Sequence, residues 1–171
     1  MRRETSVLCL CLALVLAGCG YRLRGTGSSL PPHIKKIQVP MFENRTTRFE
    51  LDRKLTQGLI DELVARGKVE IVARSESADA VLSGEIRTFT ANPIGFSNQG
   101  TADRYNITIV VKILLRDQIN KKVIFQQPGY IYQGEYEVPE GSDFESVETE
   151  ALDEIARKFA RSVIINILEG F

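Results

Sequence analysis

The order of apolar and polar positions divides the chain into elements. Near the C-terminus, Val147, Ala151, Leu152, Ile155, Ala156, Phe159, Ala160, Val163, Ile164 and Ile167 recur at helical spacing. Acidic residues fill the first half of that stretch and Arg157, Lys158 and Arg161 the second, which suits a helix dipole. Asp153 with Arg157, and Glu154 with Lys158, stand at i, i+4. Ser142 and Glu145 have the spacing of a capping box at its start. An earlier stripe of Leu51, Leu55, Leu59, Ile60, Leu63 and Val64 predicts a second amphipathic helix. Thr47 and Glu50 form its capping box, and Gly67 ends it.

Between the helices the period changes from helical to two. Tyr105, Ile107, Ile109, Val111, Ile113 and Leu115 alternate with Asn106, Thr108, Lys112 and Arg116, which predicts a strand over Tyr105–Arg116 buried on one side. Asp117–Lys121 carries a turn, and Lys122–Gln127 returns as the hairpin partner. Lys36–Phe42, Val69–Ala73, Ala80–Thr90 and Tyr130–Tyr136 are further strands, with Pro40 placing the end of the first outside the ladder. Asn92–Asp103, with Pro93, Gly95 and Gly100, reads as a long mobile loop. The expected class is α+β: two helices packed on one face of a mixed, roughly four-stranded sheet. The Tyr105–Arg116 strand is crossed once, so the loop and the Asp117–Lys121 turn belong at opposite ends of it.

The N-terminus has a different character. Arg2 and Arg3 precede an apolar run over Val7–Leu16, too short for a permanent membrane span and suited to a secretory signal. Leu16-Ala17-Gly18-Cys19 follows, a lipobox in which the Cys19 thiol accepts a diacylglyceryl unit and the freed amine a third acyl chain. Two or more chains hold a protein stably at a bilayer. Residues 1–18 are therefore read as a cleaved signal, 19–32 as a lipidated N-terminus with a short linker, and 33–171 as one periplasmic domain. Cys9 and Cys11 leave with the signal and Cys19 is acylated, which leaves no thiol pair for a disulfide. Gly20 after the lipidated cysteine, in place of aspartate, favours the outer membrane.

Charge excludes one class of partner. Cleavage removes Arg2, Arg3 and Glu4, which leaves the mature chain at about −1, without the basic excess that nucleic acid requires. Catalytic chemistry is equally sparse. His33, the only histidine, follows Pro31-Pro32 and has no triad pattern around it. A zinc site would lack both histidine pairs and thiolates. Glu135, Glu137, Glu140, Asp143 and Glu145 form an acidic run without the ligand spacing of a calcium loop. Gly25-Thr26-Gly27 lacks a third glycine and a preceding strand. The expectation is no enzyme, no metal and no cofactor beyond the lipid on Cys19.

Several short motifs then occur in a telling order. Cys19-Gly20-Tyr21-Arg22-Leu23-Arg24-Gly25 is followed by Leu30-Pro31-Pro32 and a strand, then a helix ending in Gly67. Ala78-Asp79-Ala80-Val81-Leu82-Ser83-Gly84 leads into the next strand, and a Tyr105-led hairpin and long C-terminal helix close the chain. This order resembles the lipopolysaccharide-assembly lipoproteins of the LptE family over essentially the whole mature chain. The resemblance implies a protein that plugs and helps to assemble an LptD-like outer-membrane β-barrel, and that binds the lipopolysaccharide passing through it. No basic residue matches a family ligand motif position by position. Arg104, Asn120, Lys121 and Lys122 are candidate lipopolysaccharide or barrel contacts from loop position and chemistry alone. The compact Asp117–Lys121 tip is expected to point into the lumen, away from the lipid tether.

Two alternatives belong to other classes: a lipoprotein activator of a peptidoglycan synthase, and a lipid-anchored periplasmic enzyme or binding domain. The first needs a long linker to cross the periplasm, whereas Tyr21–Pro32 extends to only about 40 Å. The second lacks a catalytic constellation. Cys19→Ser should leave an unprocessed precursor without acyl mass; mass spectrometry finding the same lipid mass on that variant would contradict the lipoprotein assignment.

Overall fold

The alternating strand is the axis of the molecule. In the computed structural model, which describes residues 30–142 and 144–169, it runs over Ala102–Asp117. Ile107, Ile109, Val111, Ile113 and Leu115 are all fully buried, and the residues between them are half-exposed. In chain order the elements are β1 (Lys36–Gln38), β2 (Glu43–Asn44), α1 (Leu51–Arg66), β3 (Glu70–Ile71), β4 (Ala80–Phe96), β5 (Ala102–Asp117), β6 (Val123–Glu137) and α2 (Phe144–Glu169). The sheet order is β3-β1-β4-β5-β6, with β2 paired in parallel to β4 beyond β1. The fold is α+β with a mixed sheet, as expected, but the sheet has six strands instead of roughly four; the expected first strand keeps only Lys36–Gln38, and a short β2 follows it. Pro40 and Phe42 fall in the break between β1 and β2.

Phe42 explains that break. Its ring lies on β4 at Gly84, where a Cβ would come within 2.1 Å of it, so only glycine leaves the space. The Phe42 N–H donates to the buried Thr56 hydroxyl (3.0 Å), which ties the crossover to α1.

Two stretches depart from the sequence reading. The expected loop over Asn92–Asp103 is mostly ladder: β4 continues to Phe96, β5 begins at Ala102, and the true loop is residues 97–101. Pro93 and Gly95 are accommodated at register shifts, on a part of β4 whose other side pairs with no described strand. Likewise, Lys122–Gln127 and Tyr130–Tyr136 merge into β6. Pro128 and Gly129 sit at a shift opposite Val111–Ile113, on the sheet edge, where a missing N–H costs no ladder bond.

Helix α1 buries Leu51, Leu55, Leu59 and Leu63, whereas Val64 is 59% exposed and lies off the stripe. The Thr47–Glu50 capping box is not formed. Glu50 itself occupies the N-cap in a left-handed conformation (φ 58°) with no side-chain cap, and its carboxylate pairs with Arg53. Gly67 ends the helix in the left-handed conformation (φ 60°), as a helix stop requires. The helices run parallel, Lys54 pairing with Asp153 and Gly58 abutting Ala156 and Ala160 further along. Asp153 thus bridges the helices instead of meeting Arg157, while Glu154 and Lys158 form the expected pair at 2.6 Å. The Ser142–Glu145 box lies outside the described side chains.

Helix α2 covers β6 through Phe159, which meets Tyr130 and Tyr132 edge-on at 5.8 and 5.9 Å and is fully buried. Truncation of Phe159 to Ala should lower the unfolding free energy by about 3–5 kcal/mol in a urea titration. A loss below about 1 kcal/mol would contradict this packing.

Candidate functional site

The strand β5 separates the candidate residues. At about 3.3 Å per residue its 16 residues span about 50 Å, with Arg104 near one end and Asn120, Lys121 and Lys122 beyond the other. The structure does not bring these candidates together. Cys19 lies outside the described residues.

The turn end is built around a carboxylate. Asp117 closes the hairpin through its N–H to the Lys122 carbonyl (2.8 Å). Its Oδ1 accepts the N–H groups of Ile119 (2.8 Å) and Asn120 (2.9 Å), and its Oδ2 accepts the Asn120 amide (2.9 Å). His33 Nε2 lies 2.7 Å from the same Oδ2. A carboxylate can only accept, so His33 donates there from Nε2. Burial works to raise the Asp117 carboxyl, but the hydrogen bonds from Asn120, His33 and Ile119 outweigh it and hold it well below the usual carboxylate range. The adjacent Asp79 is also lowered, by the backbone N–H groups of Lys35 and Lys36, each 2.8 Å from Oδ2. His33 therefore joins the entering chain to the β5–β6 turn.

This clamp places each candidate. Asn120 is the turn's own ligand, and its side-chain amide donates to Asp117. Lys121, in the left-handed conformation (φ 56°), and Lys122 are exposed. The chain enters the fold beside them, since His33 is three residues from Leu30. The tip thus lies at the end of the domain where the described residues begin. Asp-x-x-Asn was readable as turn chemistry; its partner His33, 84 residues away, was not.

At the far end Arg104 is half-exposed and pairs with Glu137 at 3.3 Å. It borders a cleft of about 610 Å³, lined also by Asp103, Tyr105, Glu137 and Glu140. Acidic side chains outnumber the one arginine, so the cleft suits an anion poorly. Members of the acidic run are already engaged there: Glu137 by Arg104, and Glu140 by Gln99 at 2.8 Å. Behind the cleft Tyr136 stacks on Tyr105 (5.3 Å), its hydroxyl buried and without a hydrogen-bond partner. Burial, with Glu148 nearby, pushes that phenol up to about 12. Glu148, itself buried, is neutralised by Arg48 at 2.9 Å, which fixes the approach to α1 against α2. The two ends thus supply structural polar networks among the described residues.

The third surface is the sheet face that no described element covers. Across β4, β5 and β6 it presents rows of Thr90, Thr108 and Gln133, then Asn92, Asn106 and Glu135, with Glu85 opposite Lys112. Arg87 crosses it to the Pro128 carbonyl (3.1 Å). Val110 and Ile131, the latter 64% exposed, add an apolar strip.

Comparison with known proteins places this architecture. The family model described as LptE, lipopolysaccharide-assembly, matches residues 34–167. No curated protein matches the sequence. Among solved structures, the hypothetical protein CT253 of Chlamydia trachomatis is similar with a TM-score of 0.54 at 13% identity, over 81% of this chain and 97% of that one. Protein XCC0632 of Xanthomonas campestris is similar with a TM-score of 0.51 at 12% identity, over 82% and 90%. At these identities the likeness is one of fold.

The clamp predicts a pH signature. Because native Asp117 titrates below its unfolded value, the unfolded chain binds more protons, and stability rises with pH across that interval. The contribution is complete above the unfolded value of about 3.9 and is lost as pH falls toward the native one. Asp117→Asn should therefore be less stable than the natural protein at pH 7, with the gap closing as unfolding is measured below about pH 4. A gap independent of pH would contradict the charged clamp.

Proposed function

The chain belongs to the LptE lipopolysaccharide-assembly family, and we propose that it is a non-enzymatic outer-membrane lipoprotein, anchored through Cys19, that plugs and helps to assemble an LptD-like β-barrel delivering lipopolysaccharide to the outer leaflet. The observation that carries the plug reading is the uncovered sheet face. It is a broad, hydrogen-bonded surface with threonine, asparagine and glutamine rows, stiffened over about 50 Å by the β4–β5–β6 ladder. Large outer-membrane barrels have polar interiors. A rigid, mostly polar face matches such a wall without leaving buried groups unpaired.

The tether sets the orientation within this reading. Leu30 and His33 lie at the β5–β6 turn, so that end stays near the membrane-held Cys19 and the β4–β5 loop end reaches inward. Arg104 then belongs to the lumenal end, where its pairing with Glu137 favours contact with the barrel over capture of a phosphate. Lys121 and Lys122 stay at the periplasmic mouth. Photocrosslinkers at Asn98 and at Ile119 separate these positions. The expected outcome, in purified outer membranes, is capture of the barrel's inner wall from Asn98 and not from Ile119. Capture from Ile119 alone would reverse the orientation, and capture from neither would contradict the plug.

A further inference from the structure

The clamped end carries a second surface. Lys35 and Lys36 stand at the start of β1 and Lys121 and Lys122 at the turn, joined by the Asp79 and Asp117 hydrogen bonds into one end of the domain. All four lysines are exposed, and none makes a salt bridge among the described residues. The acids beside them are turned elsewhere. Asp117 is buried against His33 and the turn N–H groups, and Asp79 accepts two backbone N–H groups. Glu70, the register partner of Lys36, is exposed beside it. Ile119, 57% exposed, and Val123, 46% exposed, flank the turn lysines in the chain. An apolar residue flanked by lysines is the chemistry of a surface that seats at a bilayer interface.

Chain length identifies the occupant. From Cys19 to Leu30 the extended backbone covers at most about 36–40 Å, less than the roughly 50 Å length of β5. The linker therefore holds this end within reach of the leaflet carrying the anchor. We propose that Lys35, Lys36, Lys121 and Lys122, with Ile119 as an apolar contact, form a docking surface for anionic phospholipid headgroups of that leaflet. The surface acts as a second membrane attachment that sets the tilt of the domain. It rests on the lipoprotein reading of Cys19. The His33–Asp117–Asn120 clamp is what makes the surface rigid, because it locks the turn lysines to the entering chain.

The test uses the full-length, lipidated protein in vesicles. Mature chains carry no other cysteine than Cys19, so Ile119→Cys and Asn98→Cys each accept one environment-sensitive fluorophore. In phosphatidylethanolamine vesicles with about 30 mol % phosphatidylglycerol, the label at position 119 should be quenched by headgroup nitroxides, and that at 98 should not. Salt at about 0.5 M should remove most of this quenching, since it shortens the screening length to a few ångströms. Lys35→Glu and Lys122→Glu should each lower the partition onto the anionic surface roughly five-fold, with circular dichroism unchanged. Equal quenching at both positions, or quenching at 119 that is insensitive to salt, would overturn the proposal, as would capture by zwitterionic vesicles alone. Intact mass separates the two readings. Absence of acyl mass overturns the lipoprotein assignment, and acylated protein without quenching at 119 overturns only the docking surface.

Discussion

Burial of one face of β5 is the constraint on which the rest depends. Five aliphatic side chains in strict alternation, from Ile107 to Leu115, are removed from water by two parallel helices and by β4 and β6 on either side. At about 25 cal/mol per Å² of apolar surface, such a row dominates the local energetics and fixes register, because a slip of one residue would turn every aliphatic outward. Once β5 is fixed, its length separates the two ends of the domain, and no described element covers its opposite face. The helices can approach closely because Gly58 faces Ala156 and Ala160.

What was legible in the sequence was what depends on period. The leucine stripe of α1, the apolar stripe of α2 and the alternation of β5 all lie where periodicity placed them. What was not legible depended on tertiary context. Pro93 and Gly95 read as loop residues, and Pro128 and Gly129 fell between two expected strands, yet the sheet tolerates all four at register shifts on strand edges without a further described neighbour. Thr47 and Glu50 had capping-box spacing, but the helix begins after Glu50, so the pattern was out of register by a turn. The His33 contact could not be foreseen because nothing local links it to Asp117, 84 residues away.

The candidate contacts separated in the same way. Asn120 was singled out as a contact and is a structural ligand of the turn, Arg104 is held by Glu137, and Lys121 and Lys122 are left facing solvent. Their difference lies in partners, which loop position and charge do not reveal. Family membership supplies the lipopolysaccharide-assembly context, and the uncovered, mostly polar sheet face gives that context a physical form.

The central claim is that this face lies against the inner wall of a barrel with the tether end at the mouth. Cryo-electron microscopy of the complex isolated from outer membranes through this chain tests it directly. The account predicts the domain inside a β-barrel lumen, β4–β5 loop inward and Leu30 at the periplasmic opening. A domain docked outside the barrel, or one inserted with the β5–β6 turn deepest, would contradict it.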